Sequence, residues 1–179
     1  MRRNDFRFFS AGLFVVGLLL MMTTPAILAQ GSSPEVQKAY AHINRNAKLE
    51  ADISKMAMKN SQNADIKKFA HQISSESNSI ESELFTYAER DNYQLRGDPP
   101  AEALEAQKKM KSVTGTDFDK LYLTQMASMV KDDLQAVQDA GTPKSGTELS
   151  AVCAKVQSQS DDRMKQITQL ATGENFIIQ

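Results

Sequence analysis

Apolar residues recur every three or four positions along most of this chain, and this spacing restricts its fold more than any other feature. The clearest stretch lies between residues 64 and 90, where one helical face would carry Ile66, Phe69, Ala70, Ile73, Ile80, Leu84, Tyr87 and Ala88. A period of 3.6 residues kept over about six turns is typical of an amphipathic helix. The sequence after residue 29 contains no run of alternating β-branched residues that would indicate a strand. We therefore expect an all-α fold.

Helix-start and helix-stop signals divide the chain into four long helices and one short helix. Pro34 suits the first turn of the first long helix, and Asn63 is a candidate N-cap of the second. A loop rich in Pro and Gly precedes a short helical segment over residues 101–111. The prediction is a four-helix bundle with a short crossover helix over residues 37–172, followed by a C-terminal tail at 173–179.

The first 29 residues have the composition of a secretory signal peptide. Arginines stand at the start, residues 8–22 are mostly apolar, and a proline and the small Ala29 follow. This order of a basic region, an apolar region and a small residue at the cleavage point is the pattern of an exported precursor. We expect cleavage between Ala29 and Gln30, which makes residues 1–29 the signal peptide and 30–36 a lead-in to the first helix.

The expected route is the general secretory pathway, and the expected location is the periplasm, with association to the outer membrane as a further expectation. Asp5 follows the arginine pair where a twin-arginine signal calls for an apolar residue, which favours export of the unfolded chain. The alternative is an uncleaved N-terminal anchor, because the apolar stretch is close to the length of about 20 residues that crosses a bilayer. The domain that follows is not expected to span a membrane.

Composition excludes several classes of function. Beyond residue 29 acidic residues outnumber basic ones by three, and both signs alternate along the sequence without a basic run. We therefore expect neither a nucleic-acid partner nor a basic patch. Cys153 is the only cysteine, so an intramolecular disulfide is excluded, and its apolar neighbours predict a buried small side chain rather than a nucleophile.

One charged residue interrupts the apolar stripe of the first helix. Glu50 occupies a stripe position, and its neighbours on that stripe are Ile43, Ala47, Ile53 and Ala57. A buried carboxylate is costly unless a charged or hydrogen-bonding partner meets it. The sequence offers few evident partners, and we expect Glu50 to be buried and hydrogen-bonded to a neighbouring helix or a water molecule.

Inward-facing carboxylates are also the positions at which helical bundles build metal sites. Such sites add imidazoles, usually through Glu-x-x-His pairs, and this sequence contains no such pair. His42 and His71 each lie at the edge of a stripe, where surface or structural roles are the common ones. Glu50 is thus a weak metal-ligand candidate, and we expect no catalytic residue, no metal site and no cofactor.

Three stretches of the sequence resemble the exported bacterial family called domain of unknown function 4142. The first runs from Leu49 to Ala70, the second from Ile73 to Ala88, and the third is the Phe118-Asp119 pair with Tyr122. The resemblance implies a ferritin-like four-helix bundle in the cell envelope, without an established activity.

The resemblance also implies a set of site positions, because members of this family typically keep a glutamate in the first helix and a histidine in each of three later helices. Glu50 matches the glutamate. Ser77 and Val130 stand where two of the histidines would be, and the third position falls near Asp162 or Arg163. The resemblance therefore implies that most of such a ligand set is absent from this chain.

The function expected from these observations is that of an exported envelope protein, a non-catalytic bundle that binds a partner or supports structure. The partner would be another envelope protein, and the oligomeric state stays open. The alternative is a ferritin-like metal-binding protein or oxidase with a degenerate site around Glu50.

Overall fold

The computed structural model describes residues 34–90, 92–95, 98–99, 101–139 and 148–178, without the side chains at 35, 36, 148 and 149. They form five helices: α1 (Pro34–Asn60), α2 (Ala64–Arg90), α3 (Ala101–Lys111), α4 (Gly115–Asp139) and α5 (Glu148–Gly173). The predicted all-α architecture of four long helices and one short helix is confirmed. The predicted signal peptide at 1–29, with its predicted cleavage between Ala29 and Gln30, lies outside the described residues.

The helix ends follow from local chemistry. The Asn63 side-chain oxygen accepts hydrogen bonds from the backbone N–H groups of Asp65 at 2.8 Å and Ile66 at 3.1 Å, so Asn63 is the N-cap of α2 as predicted. After α2, Asn92 has a φ of 51° and the N–H of Tyr93 bonds back to the carbonyl of Ala88 at 2.8 Å. This left-handed residue is the usual way to end a helix and reverse the chain.

The four long helices bury two separate apolar clusters. The large cluster includes Leu49, Ile53, Ile66, Phe69, Ile73, Phe118, Tyr122, Met126, Val130 and Ile167, and the short helix α3 adds Met110 to it. The small cluster lies toward the start of α1 and contains Tyr40, Ile43, Ala47, Ile80, Leu84, Val152, Cys153 and Val156. Burying each large apolar side chain contributes about 1.5–3 kcal/mol, so these clusters supply the main driving force for folding.

Cys153 belongs to the small cluster and is only 4% exposed. Burial raises the pKa of its thiol, which keeps the less reactive protonated form dominant. The prediction of a buried small side chain is confirmed.

The C-terminal residues return to the bundle. Asn175 has a φ of 58°, and the N–H of Phe176 bonds to the carbonyl of Ala171 at 2.7 Å. Phe176 and Ile178 pack against the large cluster, whereas Ile177 points outward. Among the helices of the described residues, none combines the length and the apolar character needed to cross a membrane.

Candidate functional site

Glu50 lies in the core and is held by two neighbouring helices. Its side chain is only 1% exposed. Its Oε2 atom accepts a hydrogen bond from Ser77 Oγ of α2 at 2.7 Å and another from Arg163 Nη1 of α5 at 2.9 Å. The predicted burial and the predicted hydrogen bond to a neighbouring helix are both confirmed.

Arg163 is the cation that the sequence reading did not assign to Glu50. Its side chain is 3% exposed, and its Nε donates to Glu76 Oε2 at 3.1 Å while Nη1 donates to Glu50. Burial by itself would lower the pKa of Arg163, but the carboxylates of Glu50 and Glu76 raise that pKa on balance. The expectation that few groups could pair with Glu50 is therefore wrong, because one guanidinium binds two carboxylates on two helices.

Ser77 explains the gap in the apolar stripe of α2. The residue is fully buried, and its hydroxyl donates to Glu50. A larger apolar side chain at this position would remove that donor and occupy the space of the carboxylate. The serine is thus part of the same polar group as Glu50 and Arg163.

A second buried carboxylate, Asp133 of α4, escaped the sequence reading. Asp133 is 4% exposed, and its Oδ1 accepts a hydrogen bond from Asn46 Nδ2 of α1 at 2.8 Å. Burial, followed by the nearby charge of Glu50, raises the pKa of Asp133 well above its usual range. A signal was present in the sequence, since position 133 continues the stripe of Met126, Met129 and Val137 at helical spacing.

His42 connects this polar group to the surface. Its Nδ1 lies 2.9 Å from Arg45 Nη2, and its Nε2 lies 3.1 Å from Asn46 Nδ2 and 3.7 Å from Asp133 Oδ1. Burial, followed by the charge of Arg45, lowers the pKa of His42. His42 also lines an open groove of about 440 Å³ between α1 and α4, whereas His71 is exposed.

Together these residues form a polar layer between the two apolar clusters. We use that name for Asn46, Glu50, Glu76, Ser77, Asp133 and Arg163, which come from all four long helices. Next to this layer the Ser54 and Tyr122 hydroxyls lie 3.0 Å apart, and burial raises the pKa of Tyr122. The layer ties α1, α2, α4 and α5 together at one level of the bundle.

The polar layer does not fit a metal ion. A metal ion would have to bind the carboxylates of Glu50 and Glu76, but the guanidinium of Arg163 already binds both of them. Within the described part of the chain, no group of three or more His, Cys, Asp or Glu side chains is arranged to hold a metal. Val130, one of the positions where the family resemblance implies a histidine, lies fully buried in the large apolar cluster.

Comparison with known proteins assigns the chain to a family. The family described as Domain of unknown function (DUF4142) matches residues 22–170, and the chain belongs to this family. A crystal structure from Streptomyces coelicolor, described as a secreted protein of the DUF305 type, has a similar fold with a TM-score of 0.70 at 9% identity. That match covers 80% of this chain and 96% of the Streptomyces chain. No curated protein gives a significant match.

Proposed function

We propose that this protein is an exported, non-catalytic helical bundle that acts in the cell envelope by binding or by structural support. The observation that carries the proposal is the state of Glu50, the strongest site candidate in the sequence. Its carboxylate is buried, and Arg163 and Ser77 use the Oε2 atom. A catalytic acid or base must reach its substrate within hydrogen-bonding distance. The Glu50 carboxylate instead binds side chains of α2 and α5 and so links these helices to α1.

A metal-binding or oxidase function has less support. A metal ion at Glu50 would have to displace the Arg163 guanidinium, which would leave a buried positive charge beside the incoming cation. The donor set around Glu50 therefore supports a structural polar layer.

Elemental analysis tests this choice. The protein purified after exposure to iron, manganese and zinc should contain far less than one metal ion per chain. A Glu50→Gln variant carried through the same procedure measures adventitious surface binding. Near-stoichiometric metal in the natural protein that disappears in this variant would overturn the proposal in favour of the metal-binding alternative.

Export is tested separately. Cell fractionation should place the protein in the periplasmic or outer-membrane fraction, and N-terminal sequencing of that material should begin at Gln30. A matched control is a precursor with Ala29→Arg, in which the small residue at the cleavage point is lost and the precursor should accumulate. A cytoplasmic location, or an intact N-terminus in the natural protein, would contradict export with cleavage.

A further inference from the structure

The fold brings several helix ends together at one end of the bundle. Short turns join α1 to α2 and α3 to α4, so two helices finish and two begin there, and α5 also ends there. Contacts confirm the arrangement: Asn63 Nδ2 donates to the Glu174 carboxylate, and Asp119 of α4 lies close enough to Ser61, Glu174 and Lys67 for each of them to influence its pKa, which burial raises. We call this region the turn end.

The turn end collects lysines that are scattered in the sequence. Six of them are exposed there, namely Lys59, Lys67, Lys68, Lys109, Lys111 and Lys120. The exposed acids at this end are fewer and include Asp65 and Asp117 in the first turns of α2 and α4. Glu174 is engaged by Asn63, and Asp119 is buried. The surface of the turn end therefore carries an excess of positive charge.

Among the residues that the structure describes, the opposite end of the bundle shows no comparable group of exposed lysines. Exposed acids there include Glu89 and Asp139. Two lysines of that half have acidic partners, since Lys48 lies 3.5 Å from Glu81 and Lys155 pairs with Glu83. The expectation of evenly mixed charge holds along the sequence and fails in space. The exposed lysines are thus concentrated at the turn end of the bundle.

The chemistry of the turn end fits a diffuse array of phosphates. Lysine carries a flexible point charge and lacks the fixed fork with which arginine recognises a single phosphate or base. Among the exposed residues described at this end there is no aromatic side chain on which a nucleobase could stack. Clusters of several lysines are the usual means by which proteins bind anionic lipid headgroups.

We propose that the turn end docks this protein on the surface of an anionic phospholipid bilayer, with the opposite end of the bundle pointing away. The concentration of lysines at one end fixes the orientation, because an anionic surface attracts that end most strongly. The proposal rests on the exported location proposed above, but binding to vesicles is measured in the absence of cells. A failure of export and a failure of docking are therefore distinguishable.

Co-sedimentation with vesicles tests the proposal. The protein as purified from cells is mixed with vesicles of phosphatidylcholine alone or of phosphatidylcholine with phosphatidylglycerol. We expect binding to the anionic vesicles only, and weaker binding as salt rises. The triple variant Lys67→Gln, Lys68→Gln, Lys109→Gln should bind about 100-fold more weakly, since each lysine near such a surface contributes about 1 kcal/mol. The control variant Lys38→Gln, Lys48→Gln, Lys155→Gln changes net charge equally at the other end and should retain binding.

Thermal melts of both triple variants establish that each is folded before binding is compared. Equal weakening by the two variants would show that net charge, rather than the turn end, drives association, and would overturn the proposal. So would an absence of binding to anionic vesicles at low salt. Retention of an oligonucleotide without retention of vesicles would also overturn it and would assign the surface to nucleic acid.

Discussion

Two buried carboxyl groups of the polar layer, those of Glu50 and Asp133, have different hydrogen-bond partners. Glu50 is 1% exposed and pairs with the guanidinium of Arg163, whereas Asp133 is 4% exposed and receives a hydrogen bond from the neutral amide of Asn46. The charge of Glu50 itself favours the protonated form of Asp133. Arg163 thus binds Glu50 directly, whereas the carboxyl group without a direct contact to that guanidinium is the one whose pKa is raised, by burial and then by the charge of Glu50.

The difference teaches how a buried ion pair contributes to a fold. A buried pair is not in itself strongly stabilising, but removing one partner leaves a charge that the interior cannot solvate. In addition, Glu50 Oε1 and Arg163 Nη2 have no hydrogen-bond partner among the described residues, which adds to the cost of the layer. We therefore infer that the layer specifies how the helices pack more than it adds stability.

The largest effect is expected from Arg163→Met. This change leaves Glu50 and Glu76 without their cation, and we expect a loss of about 5 kcal/mol, at the top of the range for a broken buried pair. Urea denaturation followed by circular dichroism measures the change. Since such a loss approaches the whole stability of many domains, the double variant Glu50→Leu, Arg163→Met is the control, and it should recover the stability. A double variant no more stable than Arg163→Met would contradict this account.

Glu50→Gln should cost about 3 kcal/mol, because Arg163 then loses one of its two carboxylates but keeps Glu76. The amide of glutamine can still accept from Ser77, so the lost charge, not the lost hydrogen bond, dominates. A melting curve with an unchanged midpoint would show that Glu50 is not a paired anion.

Asp133→Asn should have a smaller effect of opposite sign at neutral pH. The pKa of Asp133 is raised in the fold, so between the ordinary aspartate pKa and this raised value the unfolded chain binds fewer protons than the native protein. Stability of the natural protein therefore falls as pH rises through that window. Asparagine does not titrate, so the variant should be more stable at neutral pH and should match the natural protein near about pH 4. Denaturation curves at several pH values measure the stability difference between the two proteins. A variant less stable than the natural protein at neutral pH would contradict this prediction.

The smallest effect is expected from Lys155→Ala. Lys155 forms an ion pair with Glu83, but both side chains are about one third exposed, at 31% and 36%. Solvent screens such pairs, and the loss should stay below about 1 kcal/mol. A loss as large as that of Glu50→Gln would show that exposure does not separate the two kinds of ion pair in this bundle.

Helix positions and the burial of Glu50 were predictable because both depend on local periodicity. The Asn63 cap and the stripe around Glu50 are each contained in a few neighbouring residues. The partner of Glu50 was not identified, because Arg163 lies 113 residues further along the chain and appears in the sequence as one more charge beside Asp162. Its spacing from Val156 and Ile167 nevertheless places it on the inner face of α5.

The charge distribution was missed for a related reason. Antiparallel helices place residues on either side of a turn close together, so Lys59 and Lys67 meet at the turn end although acidic residues follow nearby in sequence. Interspersed charges along the chain therefore carry little information about charge in space until the turns are located.

The burial of Cys153 makes its thiol a probe of local opening in the bundle. The only thiol of the chain lies in the small cluster, so a thiol reagent reaches it only when the first part of α5 separates from α1 and α2. The rate of labelling then reports the free energy of that local separation, independently of global unfolding. In an oxidising compartment the same shielding would keep two chains from cross-linking for as long as the small cluster stays closed.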